Sequence, residues 1–152
     1  MAFLHCQRAL LRRGSLSGLS WHCWRGTVGV MAGARLSAKK ILIVEDSYLI
    51  AESMSRTIAD VGFATVGPVD TADRAMREIE HDVPDGVLLD VSLRDGSAVA
   101  VAKVLRQRRV PFVVVSAYAH DTLPAELRHA PYLAKPMSET ELIETIRRTF
   151  DR

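Results

Sequence analysis

Charged and hydroxyl side chains stand directly after short apolar runs at four places in this 152-residue sequence. A charge that ends an apolar run is costly to bury unless other groups hold it in place. We therefore treat these residues as candidates for a shared site. With the run that each follows, they are Glu45 and Asp46 (ILIV), Asp90 (GVLL), Ser116 (FVVV) and Lys135 (YLA).

Three of these side chains are carboxylates, and the chemistry that they could perform depends on a cation. Carboxylates that are packed together raise one another's pKa unless a cation joins them. Oxygen ligands without histidine or cysteine favour a hard ion such as Mg²⁺. A carboxylate beside Mg²⁺, a lysine and a serine is arranged to receive a phosphoryl group. The lysine would neutralise charge and the serine would donate a hydrogen bond, which makes Asp90 the predicted nucleophile.

Each candidate also has a simpler explanation when it is considered alone. Asp46 or Ser47 could cap the amino end of a helix, and Asp90 could be a turn residue. Ser116 could be a small polar residue that ends a strand, and Lys135 could be a solvated charge. The hypothesis of a shared site therefore depends on a fold that brings these residues together.

The pattern of apolar residues predicts alternating strands and helices from residue 39 onward. Strands are predicted at 41–44, 63–69, 86–89, 111–115 and 132–134. The chain is expected to leave the second of these strands through Gly67-Pro68. Helices are predicted at 47–61, 71–81, 97–108 and 141–150, the first with Leu49, Ile50, Met54 and Ile58 on its apolar face. Thr71 is a predicted N-cap, and Ser138 and Glu141 form a predicted capping box. Only a weak helix is expected within 119–130, between Pro124 and Pro131.

This alternation predicts an α/β fold with a doubly wound, five-stranded parallel sheet of the flavodoxin-like type. Right-handed crossovers and the chain length favour the strand order 2-1-3-4-5. In that order strands one and three are neighbours, and all strands end at the same edge of the sheet. Glu45, Asp46 and Asp90 are then expected to meet there, with Ser116 and Lys135 approaching from the other side.

Charge divides the chain into two parts. Residues 1–40 contain seven Lys or Arg and no acidic residue, whereas residues 41–152 contain 13 basic and 18 acidic residues. The net charges of +7 and −5 mean that the basic pI of about 8.7 does not indicate nucleic-acid binding by the folded part. We expect no nucleic acid among its partners.

We predict two regions, a basic extension at 1–38 and a folded domain at 39–152. The extension is interpreted as disordered or as a spurious start upstream of Met31, with a functional tail or an organellar targeting peptide as alternatives. Cys6 and Cys23 both lie in this extension, so the folded domain has no thiolate metal site. No run approaches the roughly 18 apolar residues that a membrane span needs, so no membrane partner is expected.

Four motifs resemble the receiver domain of two-component response regulators: VEDS (44–47), LLDV (88–91), VVSAY (114–118) and YLAKP (132–136). The resemblance covers residues 40–150. It implies that Asp90 is the phosphoacceptor and takes its phosphoryl group from a sensor histidine kinase or a phosphotransfer protein. It also implies that Mg²⁺ is held by Glu45, Asp46, Asp90 and the backbone carbonyl of Ser92.

The resemblance further assigns roles around the fourth and fifth strands. Lys135, before a cis Pro136, would contact the phosphoryl group, and Ser116 would move toward that group while Tyr132 turns inward behind it. The run PFVVVSAY is similar to a divergent branch of receivers in which the corresponding run ends Thr-Gly-Tyr and the fourth helix is irregular. A surface that includes Tyr118 and Tyr132 is the expected site for an unidentified downstream protein.

We expect a stand-alone, cytoplasmic signalling protein of bacterial type that has no output domain and catalyses only its own phosphorylation and dephosphorylation. It would act by binding a partner or by draining phosphoryl groups from a kinase. One alternative is a constitutive interaction module that no longer uses the phosphate. Another is a Mg²⁺-dependent haloacid-type hydrolase, which would require a second aspartate where Ser92 stands.

Overall fold

The computed structural model describes residues 38–96 and 98–151, so almost all of the predicted extension at 1–38 lies outside the described residues. The strands are β1 (Lys40–Val44), β2 (Ala64–Val69), β3 (Gly86–Asp90), β4 (Phe112–Ser116) and β5 (Tyr132–Ala134). The helices are α1 (Tyr48–Asp60), α2 (Ala72–His81), α3 (Ala98–Gln107), α4 (Ala125–Arg128) and α5 (Glu139–Phe150). The described residues contain no helix that is long and apolar enough to cross a membrane.

The five strands form one parallel sheet in the order β2-β1-β3-β4-β5, which confirms the predicted topology. Alternate residues of the inner strands pack on opposite faces. Leu42 and Val44 of β1 face the layer that contains α2 and α3, and Ile41 and Ile43 face the layer that contains α1 and α5. The sheet is therefore buried on both sides, which explains the uninterrupted apolar runs in the sequence.

The predicted caps of two helices are present. The Thr71 side chain accepts a hydrogen bond from the Arg74 N–H, and Ser138 and Glu141 form both halves of a capping box. The fourth helix is irregular as expected: a short 3₁₀ turn at His120–Thr122 precedes the four residues of α4.

One local expectation was wrong. Leu49 was assigned to the apolar face of the first helix, but it is 79% exposed. The buried stripe of α1 contains Ala51, Met54 and Ile58, and Leu49 lies about 200° around the helix from Ala51.

Strand β2 ends at Val69, as predicted, and its register opposite β1 is irregular. Gly67 has a φ of 87°, and the pairing shifts between Leu42 and Val44. A side chain at Gly67 would meet the Ile43 carbonyl oxygen at 3.1 Å, so the close approach of the two strands requires glycine here. The shift pairs Val69 with Val44, and the Glu45 N–H then donates to the Val69 carbonyl oxygen at 2.9 Å.

Candidate functional site

The predicted site residues lie together at the carboxyl edge of the sheet. Glu45 directly follows β1, Asp90 is the last residue of β3, Ser116 is the last residue of β4, and Lys135 directly follows β5. Strands β1 and β3 are hydrogen-bonded neighbours, with Val44 paired to Leu89. The order of the strands therefore brings together residues that are up to 90 positions apart in the sequence.

Three carboxylates form an acidic cluster at this edge. One oxygen each from Glu45, Asp46 and Asp90 lies within 4.8 Å of the others. Glu45 is 3% exposed and Asp90 is 2% exposed, whereas Asp46 is half-buried. Two of the three acids are thus removed from water and need compensation from the protein.

Lys135 supplies part of that compensation. Its Nζ donates to Glu45 Oε2 at 2.6 Å and to Asp90 Oδ2 at 2.7 Å, and its side chain is only 13% exposed. The peptide bond between Lys135 and Pro136 is cis, as the resemblance implied. The lysine is therefore a buried cation that bridges two buried acids, not a solvated charge.

The second oxygen of each buried acid is held by the backbone. Asp90 Oδ1 accepts a hydrogen bond of 2.9 Å from the Ser92 N–H, and Glu45 Oε1 accepts one of 3.2 Å from the Ser47 N–H. Both donors lie two residues after the acid that they hold. Ser47 occupies the N-cap position of α1, but its side chain makes no capping hydrogen bond.

Burial and charge shift the pKa of two residues of this cluster. Burial raises the pKa of the Glu45 carboxyl, and the nearby charge of Asp90 adds to this, although Lys135 opposes both. Burial alone would lower the pKa of Lys135, but its hydrogen bonds to Asp90 and Glu45 outweigh that effect and raise the pKa. Lys135 therefore keeps its charge at neutral pH.

The donor set fits a divalent cation that prefers oxygen. Among the described residues, the Asp46 carboxylate forms no hydrogen bond or ion pair, although it lies at the mouth of the acidic cluster. A hard ion such as Mg²⁺ accepts one or two carboxylates and retains several waters. Glu45, Asp46 and Asp90 are thus suited to hold Mg²⁺, while the role predicted for the Ser92 carbonyl stays a prediction.

The two predicted switch residues are linked through the backbone of one residue. Ser116 is fully buried, and its Oγ accepts a hydrogen bond of 3.0 Å from the Tyr118 N–H. The Tyr132 hydroxyl donates to the Tyr118 carbonyl oxygen at 2.6 Å, and its ring meets the edge of His120 at a centroid distance of 5.4 Å. Tyr118 itself is 58% exposed.

One contact near the site was not anticipated. Asp95, in the loop after Asp90, accepts hydrogen bonds from the backbone N–H groups of Ala72 (2.8 Å) and Asp73 (3.3 Å). Through this contact the loop that follows the acidic cluster caps the first turn of α2. The only signal in the sequence is the turn-forming pair Asp95-Gly96, which does not reveal its distant partner.

Known proteins are similar to this chain in sequence and fold. Residues 41–147 match the family model described as the response regulator receiver domain. The transcriptional regulatory protein PdtaR of Mycobacterium tuberculosis is 32% identical over 113 residues, which are 71% of this chain and 55% of that protein. The chain spans about half the length of the curated relatives it matches.

Two solved structures have the same fold at a similar size. A receiver domain (CheY-like) from Methylobacillus flagellatus has a TM-score of 0.65 and 28% identity, covering 74% of this chain and 98% of that one. SdrG from Sphingomonas melonis Fr1 has a TM-score of 0.64 and 32% identity, covering 72% of this chain and 94% of that one.

Proposed function

Because the chain belongs to the response regulator receiver domain family, we propose that it is a phosphorylation switch of a two-component pathway. Asp90 accepts the phosphoryl group, and a sensor histidine kinase or a phosphotransfer protein donates it. The observation that carries this proposal is the burial of Asp90 at a strand end, between the charge of Lys135 and two further acids. Such an arrangement places a nucleophile beside the groups that neutralise an incoming phosphoryl group.

The transfer is a displacement at phosphorus. An oxygen of Asp90 forms a bond to the phosphorus atom while the phosphorus–nitrogen bond of a donor phosphohistidine breaks, and the electron pair returns to the imidazole. Lys135, whose pKa is raised, remains protonated and balances charge on the phosphoryl oxygens. Mg²⁺ held by Glu45, Asp46, Asp90 and the Ser92 carbonyl would supply the remaining positive charge.

The phosphorylation step is tested by intact-mass measurement of the full chain after incubation with Mg²⁺ and acetyl phosphate. We expect one phosphoryl group on the wild type, none on Asp90→Asn and none when the metal is chelated. Asp121→Asn is the matched control, because Asp121 is exposed and lies outside the acidic cluster.

A phosphoryl group on Asp90→Asn would show that another residue is the acceptor. If neither acetyl phosphate nor a panel of phosphorylated kinases modified the wild type, the alternative of a phosphate-independent interaction module would be favoured. The haloacid-type hydrolase is disfavoured because Ser92 occupies the position of its second acid, and the Ser92 N–H is used to hold Asp90.

We further propose that the output is binding to a cytoplasmic protein at a surface that includes Tyr118 and Tyr132. Addition of a phosphoryl group with about −1.5 to −2 charges would attract the Ser116 hydroxyl and loosen its contact with the Tyr118 N–H. The Tyr132–Tyr118 hydrogen bond would change with it, because both contacts are made to the Tyr118 backbone.

Hydrogen exchange of residues 117–132, with and without acetyl phosphate, tests this coupling. We expect a change of exchange in the wild type and none in Asp90→Asn. Once a partner is identified, alanine at Tyr118 or Tyr132 is expected to weaken its binding. Affinity that is unchanged by both substitutions would place the partner surface elsewhere.

A further inference from the structure

A second concave site lies at the opposite edge of the sheet from the acidic cluster. It is a cavity of about 720 Å³ formed by segments that precede β1, β3, β4 and β5 and by the carboxyl ends of α3 and α5. The residues that line the cavity include Lys39, Arg106, Arg109, Phe112, Arg148 and Thr149. No step of the proposed phosphoryl transfer uses this edge.

The cavity is basic although the domain is acidic. Lys39, Arg106, Arg109 and Arg148 line it together with one acid, Asp85, whose carboxylate accepts a hydrogen bond from the Lys40 N–H. With 15 basic and 18 acidic residues, the folded domain at 39–152 carries a net charge of −3. A local excess of positive charge in such a domain attracts anions to this edge.

Local structure explains three of these four cations. Arg106 lies in the last turn of α3 with its guanidinium 5.8 Å from the centre of the Phe112 ring, and Arg148 lies in the last turn of α5. A positive charge in the last turn stabilises a helix, because it lies near the partial negative charge of the carboxyl end. Lys39 Nζ donates to the Phe150 carbonyl oxygen at 2.6 Å, which satisfies the carboxyl end of α5.

Arg109 has no such explanation. It follows α3 with a φ of 58° and is the one described non-glycine residue with positive φ. Its N–H bonds to the Arg106 carbonyl oxygen, and the next N–H, of Val110, bonds to Leu105. Glycine is the usual residue at this position of a helix end, because a side chain is disfavoured there. An arginine at a position that favours glycine, in the lining of a basic cavity, points to a role for its side chain.

One residue that lines the cavity has a buried polar side-chain atom without a partner. Thr149 Oγ1 is the only buried side-chain nitrogen or oxygen without a hydrogen-bond partner in the described part of the chain. A buried hydroxyl without a partner calls for an explanation, and a ligand or a bound water supplies one. Thr149 lines the same cavity as the arginines.

We propose that this cavity binds a nucleotide. Arginine forms paired hydrogen bonds with phosphate oxygens, and the guanidinium groups of Arg109 and Arg148 supply the positive charge for this. Val110, Phe112 and Pro131 give the cavity an apolar part that suits a flat base. A volume of about 720 Å³ lies within the range of small-molecule sites.

Isothermal titration of the full chain with ATP and with GTP tests this proposal. The titrations are made at physiological salt with EDTA, so that metal-dependent binding at the acidic cluster does not contribute. We expect saturable binding of at least one nucleotide, weakened by about tenfold or more in Arg109→Gly and in Arg148→Gln. Arg109→Gly keeps the turn, because glycine is favoured at its φ.

Arg77→Gln is the matched control, because Arg77 is exposed on α2, away from the cavity, and the charge change is the same. Unchanged affinity in this variant and in Asp90→Asn would support the site independently of the phosphorylation proposal. Absence of saturation at millimolar nucleotide would overturn the inference, as would equal weakening by Arg77→Gln. Inorganic triphosphate that bound as tightly as both nucleotides would also overturn it, because the apolar part of the cavity would then contribute nothing.

Discussion

Lys135 and Asp90 are joined by a hydrogen bond of 2.7 Å across the end of β4, which separates their two strands in the sheet. The lysine contacts Glu45 at the same time, so one ammonium group connects the ends of β1, β3 and β5. Removal of the lysine would leave two buried acids without their cation. Both buried acids of the cluster therefore depend on the charge of Lys135.

The first prediction concerns this dependence. Lys135→Ala is expected to lower the free energy of unfolding by about 2 kcal/mol at neutral pH without metal, because two buried acids lose their cation. Mg²⁺ is expected to restore more stability to the variant than to the wild type. Urea unfolding with and without Mg²⁺ measures both effects.

Lys103→Ala is the control for this prediction, because Lys103 is exposed and forms only a 3.9 Å ion pair with Glu126. A change of no more than about 0.5 kcal/mol is expected there. Equal stability of Lys135→Ala and Lys103→Ala would contradict the role of Lys135 as the buried counterion. The phosphorylated Lys135→Ala protein is also expected to bind its partner more weakly than the phosphorylated wild type.

The second prediction concerns the start of the strand that carries Asp90. A side chain at Gly86 would lie 2.5 Å from two ring atoms of the buried Phe150 and 3.0 Å from Ile41 Cδ1. Gly86→Ala is therefore expected to destabilise the fold by about 1–3 kcal/mol through overpacking. Thermal unfolding measures the loss.

The double variant Gly86→Ala/Phe150→Leu tests whether the contact with Phe150 is the cause. It should lose less stability than the sum of the two single variants, because the smaller side chain makes room. Additive losses would show that Phe150 is not the obstacle.

The third prediction concerns the contact between the Asp90 loop and α2. Asp95→Ala removes the acceptor for the Ala72 and Asp73 N–H groups and is expected to cost about 1 kcal/mol, as the loss of a helix cap does. Faster hydrogen exchange should be confined to the first turn of α2 and the loop. Asp73→Ala, which keeps the backbone donors, is the control, and equal exchange in the two variants would refute the role of Asp95.

The fourth prediction is a pH dependence at the start of α5. Hydrogen bonds from the Ser138 N–H and then from its hydroxyl lower the pKa of the Glu141 carboxyl below its ordinary 4.5. The ionised group therefore stabilises the fold above pH 4.5, and this contribution is lost as the pH falls through the lowered folded-state pKa.

Unfolding free energies of the wild type and Glu141→Gln, measured at neutral pH and well below pH 4.5, test this dependence. The difference in unfolding free energy between the wild type and Glu141→Gln should be larger at neutral pH than at low pH. Glu144→Gln, on the same helix, is the control for the loss of one negative charge. If the difference in unfolding free energy did not change with pH, the Glu141 carboxylate would be excluded as the source of the pH-dependent stability.

The sequence alone was sufficient for the topology and for the members of the acidic cluster. Buried parallel strands require continuous apolar runs, and a charge that ends such a run is conspicuous, as at Glu45 and Asp90. Once the strand order is known, the ends of β1 and β3 must be neighbours. These features are encoded locally or follow from a topological rule, which is why they could be predicted.

The tertiary structure decided which groups pair and which way they face. The exposure of Leu49 depends on how α1 is rotated against the sheet. The irregular register of β2 near Gly67 depends on its contact with β1. Lys135 is a bridge between two acids and not a solvated charge because β5 places it there. The contact of Asp95 with α2 and the basic cavity around Arg109 join segments that are distant in the sequence. No local pattern specifies such pairs, because their energy arises only when the packed elements bring them within reach.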